Sequence, residues 1–365
     1  MQKKIAVLAG DGIGPEVTKQ ALKVLRAIER AYDHQFAYEE GVVGAAAIDE
    51  TGNPFPKETE KLCLEVDAIL FGAIGHPKYD NDPNAKVRPE QGLLEMRKKL
   101  GLFSNIRPIK SYPAISKISP LKGKVVADVD FVVFRELTGG IYFGEPRGRN
   151  EKGDVAFDTC IYSKEEILRI TKLAFEAAAK RGKKVTLVDK ANVLATSRLW
   201  RETVREYSQQ FPDIKLDFMY IDNAAMKLIQ NPGVFDVVLT ENMFGDILTD
   251  AASVITGSLG MLPSASMGEK VALFEPIHGS YPEVAGQMRA NPIGAILSAA
   301  MMLNYAFNMV DESNAIKAAV QQSLDEGSVT EDINTENPLS TEAVGDRIAT
   351  LVYSSKKVSP DHVKA

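Results

Sequence analysis

Short apolar runs alternate with segments of helical period along most of the chain. Ile5-Ala-Val-Leu8 is compact enough for a buried strand, and beyond a glycine-rich turn Val17, Ala21, Val24, Leu25 and Ile28 recur on one helical face. Together they open a β-α-β unit. Further strands are expected at 68–71, 125–134, 185–188, 216–221, 234–240 and 271–274, with helical patterns over 165–180 and 196–209. Such alternation defines the α/β class. The longest apolar stretch, Ile293 to Val310, is interrupted by Ser298, Asn304 and Asn308 and reads as a buried core helix, not a membrane span.

Gly139 to Asp158 is punctuated differently, with Gly139, Gly140, Gly144, Pro146, Gly148 and Gly153 between short aromatic or β-branched pieces. A hairpin-like arm is expected, and two readings of it stand: packing against another subunit, or an ordinary surface hairpin. The polar residues from Ser354 to Ala365 are expected to form a mobile tail.

A length of 365 residues suits two domains or one large one. With 43 Lys+Arg against 49 Asp+Glu the formal charge is -6, which argues against nucleic acid or an anionic membrane as partner. Cys63 and Cys160 lack CxxC spacing, so neither a disulfide framework nor a thiolate zinc site is supported. The run after Lys3 and Lys4 spans only Ile5 to Ala9, too short for an export segment. A cytoplasmic protein is expected.

Gly10-Asp-Gly-Ile-Gly-Pro-Glu16 joins a strand to a helix, but its glycine spacing departs from the dinucleotide fingerprint, and Pro15 stands where phosphate would approach. A tight strand-to-helix turn and a direct phosphate site both remain open. Arg97, Arg107 and Arg135 are three forks suited to a dicarboxylate, although any one alone reads more readily as a surface ion pair. Asp246 and Asp250 lie one helical turn apart, and oxygen ligands without nearby His or Cys suit Mg²⁺ or Mn²⁺; favourable placement of acids near a helix start is the alternative. Asp222, ending an apolar run, is a possible third ligand. Lys190 follows a strand, where a lysine beside cations can lose its proton and act as a base, and Tyr142 is a candidate acid or a packing residue. Of the four histidines only His278, in Glu275-Pro-Ile-His-Gly-Ser280, has a motif-like setting.

From Gly10-Asp-Gly-Ile-Gly-Pro-Glu16 to about Tyr353, the chain resembles the decarboxylating β-hydroxyacid dehydrogenases, the family of isocitrate and isopropylmalate dehydrogenases. Its specific marker is Asn242-Met-Phe-Gly-Asp-Ile-Leu-Thr-Asp250 followed by Gly257-Ser-Leu-Gly-Met261. The resemblance implies a two-domain α/β fold that is not Rossmann, with 1–102 and 255–365 as a first domain carrying most of the NAD site. Residues 103–254 would form a second domain with metal, catalytic and dimerisation residues. It makes Arg97, Arg107 and Arg135 the carboxylate clamp, Asp222, Asp246 and Asp250 the ligands of Mg²⁺ or Mn²⁺, and Tyr142 and Lys190 the acid and base.

The same resemblance implies a homodimer with shared active sites, in which Lys190 and Asp222 cross from the partner and the arm at about 139–158 is a dimer clasp. For NAD it points to Ile13, Glu90, the segment from His278 to Asn291 with Gly279, Ser280, Glu283 and Ala290, and Asp332. Asn291 before Pro292 is also a good helix N-cap. Glu283 stands where the family usually has Asp; either carboxylate would accept from an adenosine 2'-hydroxyl and repel a 2'-phosphate. Leu93, Leu94 and Val193 match positions lining the substrate pocket. They suit the isopropyl group of 3-isopropylmalate, on the route to leucine, and would leave the third carboxylate of isocitrate unpartnered.

Overall fold

The first apolar run becomes the strand Gln2–Gly10, whose Ile5, Ala6, Val7 and Leu8 are all buried. Burial on both faces is why it lacks the alternation of a half-exposed strand. The strand pairs in parallel with Gln35–Glu40 on one side and with Ala68–Ala73 on the other, setting Ile5 opposite Ala68 and Val7 opposite Leu70. Parallel neighbours require a crossover, which the helix Gly14–Tyr32 supplies with Val17, Ala21, Val24, Leu25 and Ile28 fully buried. The structure, a computed structural model, describes residues 2–82 and 85–357. Of the expected tail, 354–357 are the end of the helix Thr341–Lys357, and 358–365 lie outside the described residues.

The chain divides into two units, Met1–Leu100 with Ser258–Ala365, and Gly101–Gly257. In the first, Ala272–Pro276 joins Ala68–Ala73 in parallel, and Pro263–Met267 runs antiparallel to it. Helix Ile293–Tyr305 is buried from Ile293 through Leu303 and packs against Gly14–Tyr32 and Ala272–Pro276, so the longest apolar stretch forms a core helix up to Tyr305, whereas Val310 is exposed and starts the helix Val310–Asp325. The second unit has the strand order Ser104–Lys110, Asp130–Glu136, Val237–Thr240, Lys184–Asp189, Lys215–Tyr220, with only the first pair antiparallel. Its helix Lys164–Ala179 starts at a capping box: Ser163 Oγ accepts from the Glu166 N–H at 3.2 Å and the Glu166 carboxylate accepts from the Ser163 N–H at 2.7 Å.

Several expectations shift. Residues 125–134 are not one strand, because Gly123–Val126 is a helical turn, Asp128 is left-handed at φ 57°, and the strand is Asp130–Glu136. Pro232–Val234 forms a 3-10 turn, so the next strand starts at Val237. Asp222 stands in the first turn of the helix Ile221–Gln230, not at a strand end. Ser104–Lys110 and Pro263–Met267 are strands that apolar periodicity does not reveal, since buried Ser104, Asn105, Arg107, Ser264 and Ser266 interrupt it. Within 139–158 the expected hairpin forms through Gly148–Arg149 and Ala156–Phe157, all exposed.

One close approach seats the first crossover helix. A methyl group at Gly72 would lie 2.1 Å from the Ala9 carbonyl oxygen and 2.8 Å from Thr18 Oγ1. Gly72→Ala is therefore expected to destabilise the protein by about 1–3 kcal/mol. Urea unfolding checks this; an unchanged midpoint would mean that the backbone yields freely there.

Candidate active site

Arg135 lies in the strand Asp130–Glu136 and is only 4% exposed. A buried guanidinium needs acceptors. Its Nε and Nη2 donate to Asn242 Oδ1 at 3.2 and 2.9 Å, and Nη1 donates to the Asp246 carboxylate. The Asn242 amide also donates through Nδ2 to the Gly139 carbonyl at 3.2 Å, tying the segment that carries Tyr142 to the same point. Tyr142 in turn donates its hydroxyl to Asp246 Oδ2 at 3.0 Å. One turn along the helix Asn242–Thr256, Asp250 accepts from Arg107 Nη1 at 3.2 Å, and Arg107 further contacts Thr249 Oγ1 and Asn105 Oδ1, both at 2.6 Å.

Five of the sequence-derived residues, Arg107, Arg135, Tyr142, Asp246 and Asp250, thus come together beside one helix. The arginines are buried, while the Asp250 side chain is 68% exposed and that of Asp246 35%. Burial, followed by the Asp246 carboxylate, pushes the Tyr142 hydroxyl up, which keeps it protonated.

Lys190 and Asp222 form a separate pair at 2.7 Å, with Lys190 Nζ also 6.0 Å from the centre of the Tyr220 ring. The cationic neighbours expected for Lys190 are replaced by this carboxylate, which Lys190 holds below the usual range. Nearby, Arg201 forks onto buried Asp189 at 2.5 and 3.0 Å and lies over Phe218 and Tyr220, bracing the two strand ends. Among the described residues no three His, Cys, Asp or Glu side chains gather to hold a metal, so Asp222 does not join Asp246 and Asp250 within one chain. Val193 is 62% exposed.

In the first unit, Arg97 Nη2 contacts Glu275 at 3.3 Å and its buried Nε has no partner. Leu93 is half-buried and Leu94 exposed. The Ile13 N–H donates to the Ser280 carbonyl at 2.8 Å, and a Cβ at Gly75 would lie 3.1 Å from Glu90 Oε1 and 3.4 Å from Ser280 Oγ, so those two groups face one spot. His278 contacts the Gly279 carbonyl through Nδ1 at 2.9 Å; its Nε2 is buried without a partner, and burial holds the ring below its ordinary value. An orphaned nitrogen next to the exposed Gly279 fits a ligand rich in hydroxyl and amide groups. The N-cap position of the helix Ile293–Tyr305 is Pro292, and Asn291 just before it accepts from the Ile293 N–H at 3.0 Å and donates to Asp332 at 3.0 Å; the Ala290 carbonyl accepts from Thr341 Oγ1 at 2.6 Å. His76, also exposed, accepts from the Lys78 N–H at 3.1 Å and caps the short helix Pro77–Asp80.

Sequence reasoning missed the support behind Arg135. Glu241 N-caps the helix by accepting from the Phe244 N–H at 2.8 Å, and Tyr162 donates to Glu241 at 3.2 Å while accepting from the Asn242 N–H at 3.0 Å. Position before an apolar helix was a signal for Glu241; Tyr162 had none.

The chain belongs to the isocitrate/isopropylmalate dehydrogenase family, whose sequence model matches residues 4–348. This is a family of oxidative decarboxylating dehydrogenases in which use of NAD and a divalent metal is general. Among its relatives, a 3-isopropylmalate dehydrogenase of Geobacillus kaustophilus is 56% identical over 90% of each chain, and one of Bacillus subtilis 51% identical over 98% of this chain and 100% of its own. Of solved structures, an isocitrate dehydrogenase from Methylococcus capsulatus superposes with a TM-score of 0.86 at 31% identity, covering 96% of this chain and 99% of that one. A β-decarboxylating dehydrogenase from Thermococcus kodakarensis gives 0.80 at 36% identity, over 99% and 100%.

Burial raises the carboxyls of Glu241 and Glu136, although hydrogen bonds and arginines oppose it. The folded state therefore keeps protons that the unfolded chain releases, and this contribution, complete below about pH 4, is lost as pH rises through the raised values. Glu241→Gln removes one such group. Its unfolding midpoint relative to the unsubstituted protein should climb as pH rises above about 4 in a urea series; a constant difference would show that Glu241 titrates like an exposed acid.

Proposed function

We propose that the chain catalyses the NAD-dependent oxidative decarboxylation of (2R,3S)-3-isopropylmalate to 4-methyl-2-oxopentanoate and CO₂, in the formation of leucine. The observation that carries this reading is the meeting of two buried arginines, two outward carboxylates and a tyrosine hydroxyl beside the helix Asn242–Thr256. Arg97, Arg107 and Arg135 bind and orient the substrate's carboxylates, for which orientation is a large part of the barrier. Asp246, Asp250 and Asp222, an all-oxygen donor set, would hold Mg²⁺ or Mn²⁺. When bound, the cation would supply Lewis-acid polarisation of the substrate's oxygens and NAD would supply the hydride acceptor. Lys190 accepts the C2 hydroxyl proton, and Tyr142 returns a proton to the carbon that has lost CO₂.

NAD is assigned to Ile13, Glu90, His278, Gly279, Ser280, Glu283, Ala290, Asn291 and Asp332, all in the first unit, with Glu283 favouring NAD over a 2'-phosphorylated form. Leu93, Leu94 and Val193 receive the isopropyl group. A third carboxylate placed against them would cost several kcal/mol, disfavouring isocitrate.

The enzyme is read as a homodimer. Met226 and Ile229 on Ile221–Gln230, and Ile247 and Val254 on Asn242–Thr256, are exposed apolar residues on two helices that pack together, and Val155 and Phe157 add apolar surface on the arm. Asp246 and Asp250 share a helix with part of that surface, which supports a site completed by Lys190 of the partner subunit and Asp222 of the partner subunit. No described helix is long and apolar enough to cross a membrane, and both cysteines are free, in keeping with a cytoplasmic enzyme.

NADH formation with Mg²⁺ should be seen with 3-isopropylmalate and not with isocitrate; turnover of isocitrate would refute the roles of Leu93, Leu94 and Val193. Lys190→Met should lower turnover by about 10²–10⁴-fold with substrate binding retained. Mixed dimers of Lys190→Met and Asp246→Asn chains should regain activity, because one of their two sites is then intact. Hybrids as inactive as their parents would place the whole site within one chain.

A further inference from the structure

The turn Gly10-Asp-Gly-Ile-Gly-Pro-Glu16 has a task that neither sequence reading covers. The approach to the first turn of the helix Gly14–Tyr32 is filled by protein: the Ile13 N–H is taken by the Ser280 carbonyl at 2.8 Å, and a Cβ at Gly12, where φ is +57°, would lie 2.0 Å from that same oxygen. Glu16 follows in this turn, only 7% exposed, and is spent on backbone. Its Oε1 accepts from the Gly286 N–H and its Oε2 accepts from the Met288 N–H at 3.1 Å. A helix start carrying a buried carboxylate and covered by a neighbouring segment does not take phosphate.

Between these anchors Tyr281 and Glu283 stand exposed, and the segment contains two left-handed residues other than glycine, Tyr281 at φ 39° and Met288 at φ 54°. Local preference disfavours such backbone, so surrounding contacts must hold it. Beyond Met288 the chain is fastened independently, since the Met288 carbonyl accepts from the Thr341 N–H at 2.8 Å and the Ala290 carbonyl from Thr341 Oγ1. Residues 281–288 therefore take their shape from Ile13 at one end and Glu16 at the other. Two N–H groups meeting two oxygens require a carboxylate; a glutamine would turn an NH₂ donor toward one of them.

We infer that Glu16 is a positioning residue for the nicotinamide dinucleotide: without touching it, the carboxylate sets the conformation of residues 281–288 and so tunes the affinity for NAD. This rests on the reading that the segment from His278 to Asn291 binds NAD. Titration of the unsubstituted enzyme with NAD tests that reading by itself, and absence of binding would remove it.

Given binding, Glu16→Gln should raise the Kd and KM for NAD about tenfold, while the KM for 3-isopropylmalate stays within about twofold. Hydrogen exchange should quicken at Gly286 and Met288 and remain unchanged over 293–305. Gly12→Ala, which pushes Ser280 from the other anchor, should give the same split between NAD and substrate. Unchanged NAD affinity with unchanged exchange in Glu16→Gln would overturn the inference. Faster exchange extending through 293–305, or loss of folding, would overturn it too, because Glu16 would then serve the fold at large.

Discussion

A guanidinium buried beside a strand end is the constraint around which the catalytic unit is arranged. Arg135 is nearly without solvent, and a cation so placed is tolerated only when every donor finds an acceptor. The residues that meet this demand account for much of the marker motif: Asn242 supplies an amide oxygen, Asp246 a carboxylate, and Gly245 the space, since a Cβ there would sit 2.6 Å from Arg135 Cγ. Thr249 and Asp250 repeat the arrangement for Arg107 one turn later. A motif that reads in sequence as a pair of acids is physically a helix fitted onto two arginines.

Backbone at the strand ends of the first unit is organised in a related way, by side-chain carboxylates that act as acceptors. Asp11 accepts from the Ala45, Ala46 and Gly75 N–H groups at 2.9, 3.0 and 3.0 Å, joining the end of the first strand to the helix Gly44–Thr51 and to the turn after Ala68–Ala73. Its own N–H bonds the Ala73 carbonyl at 2.8 Å. Charge is therefore used in both units to fix loops at the carboxyl ends of parallel strands, where open α/β sheets place their ligands.

The α/β class was legible because buried parallel strands are short uninterrupted apolar runs and their crossover helices keep a strict apolar face. The strands at 68, 185, 216 and 271 were located within a residue or two for that reason. Ser104–Lys110 and Pro263–Met267 were not, because their buried serines, asparagine and arginine erase the signal that burial normally leaves. Residues 125–134 misled in the opposite sense: a mainly apolar segment broken by Asp128 and Asp130 contains a helical turn, which the left-handed Asp128 separates from the strand. In the site, arginines, aspartates and the tyrosine were visible as chemistry, whereas Tyr162 was not, since a buried aromatic looks like an ordinary core residue until its partners are known, and Glu241 was signalled only by its place before an apolar helix.

Local order and residue chemistry were determined by the sequence itself: which segments bury both faces, where helices are capped, and which acids and bases the chain has to offer. These depend on neighbours within a turn or a strand, and such neighbours are adjacent in the text. Which charges meet was decided by the tertiary structure alone. Arg135 finds Asn242 across 107 positions and Glu16 finds Met288 across 272, because parallel sheets bring distant strand ends together and a buried donor must bond whatever acceptor the fold delivers.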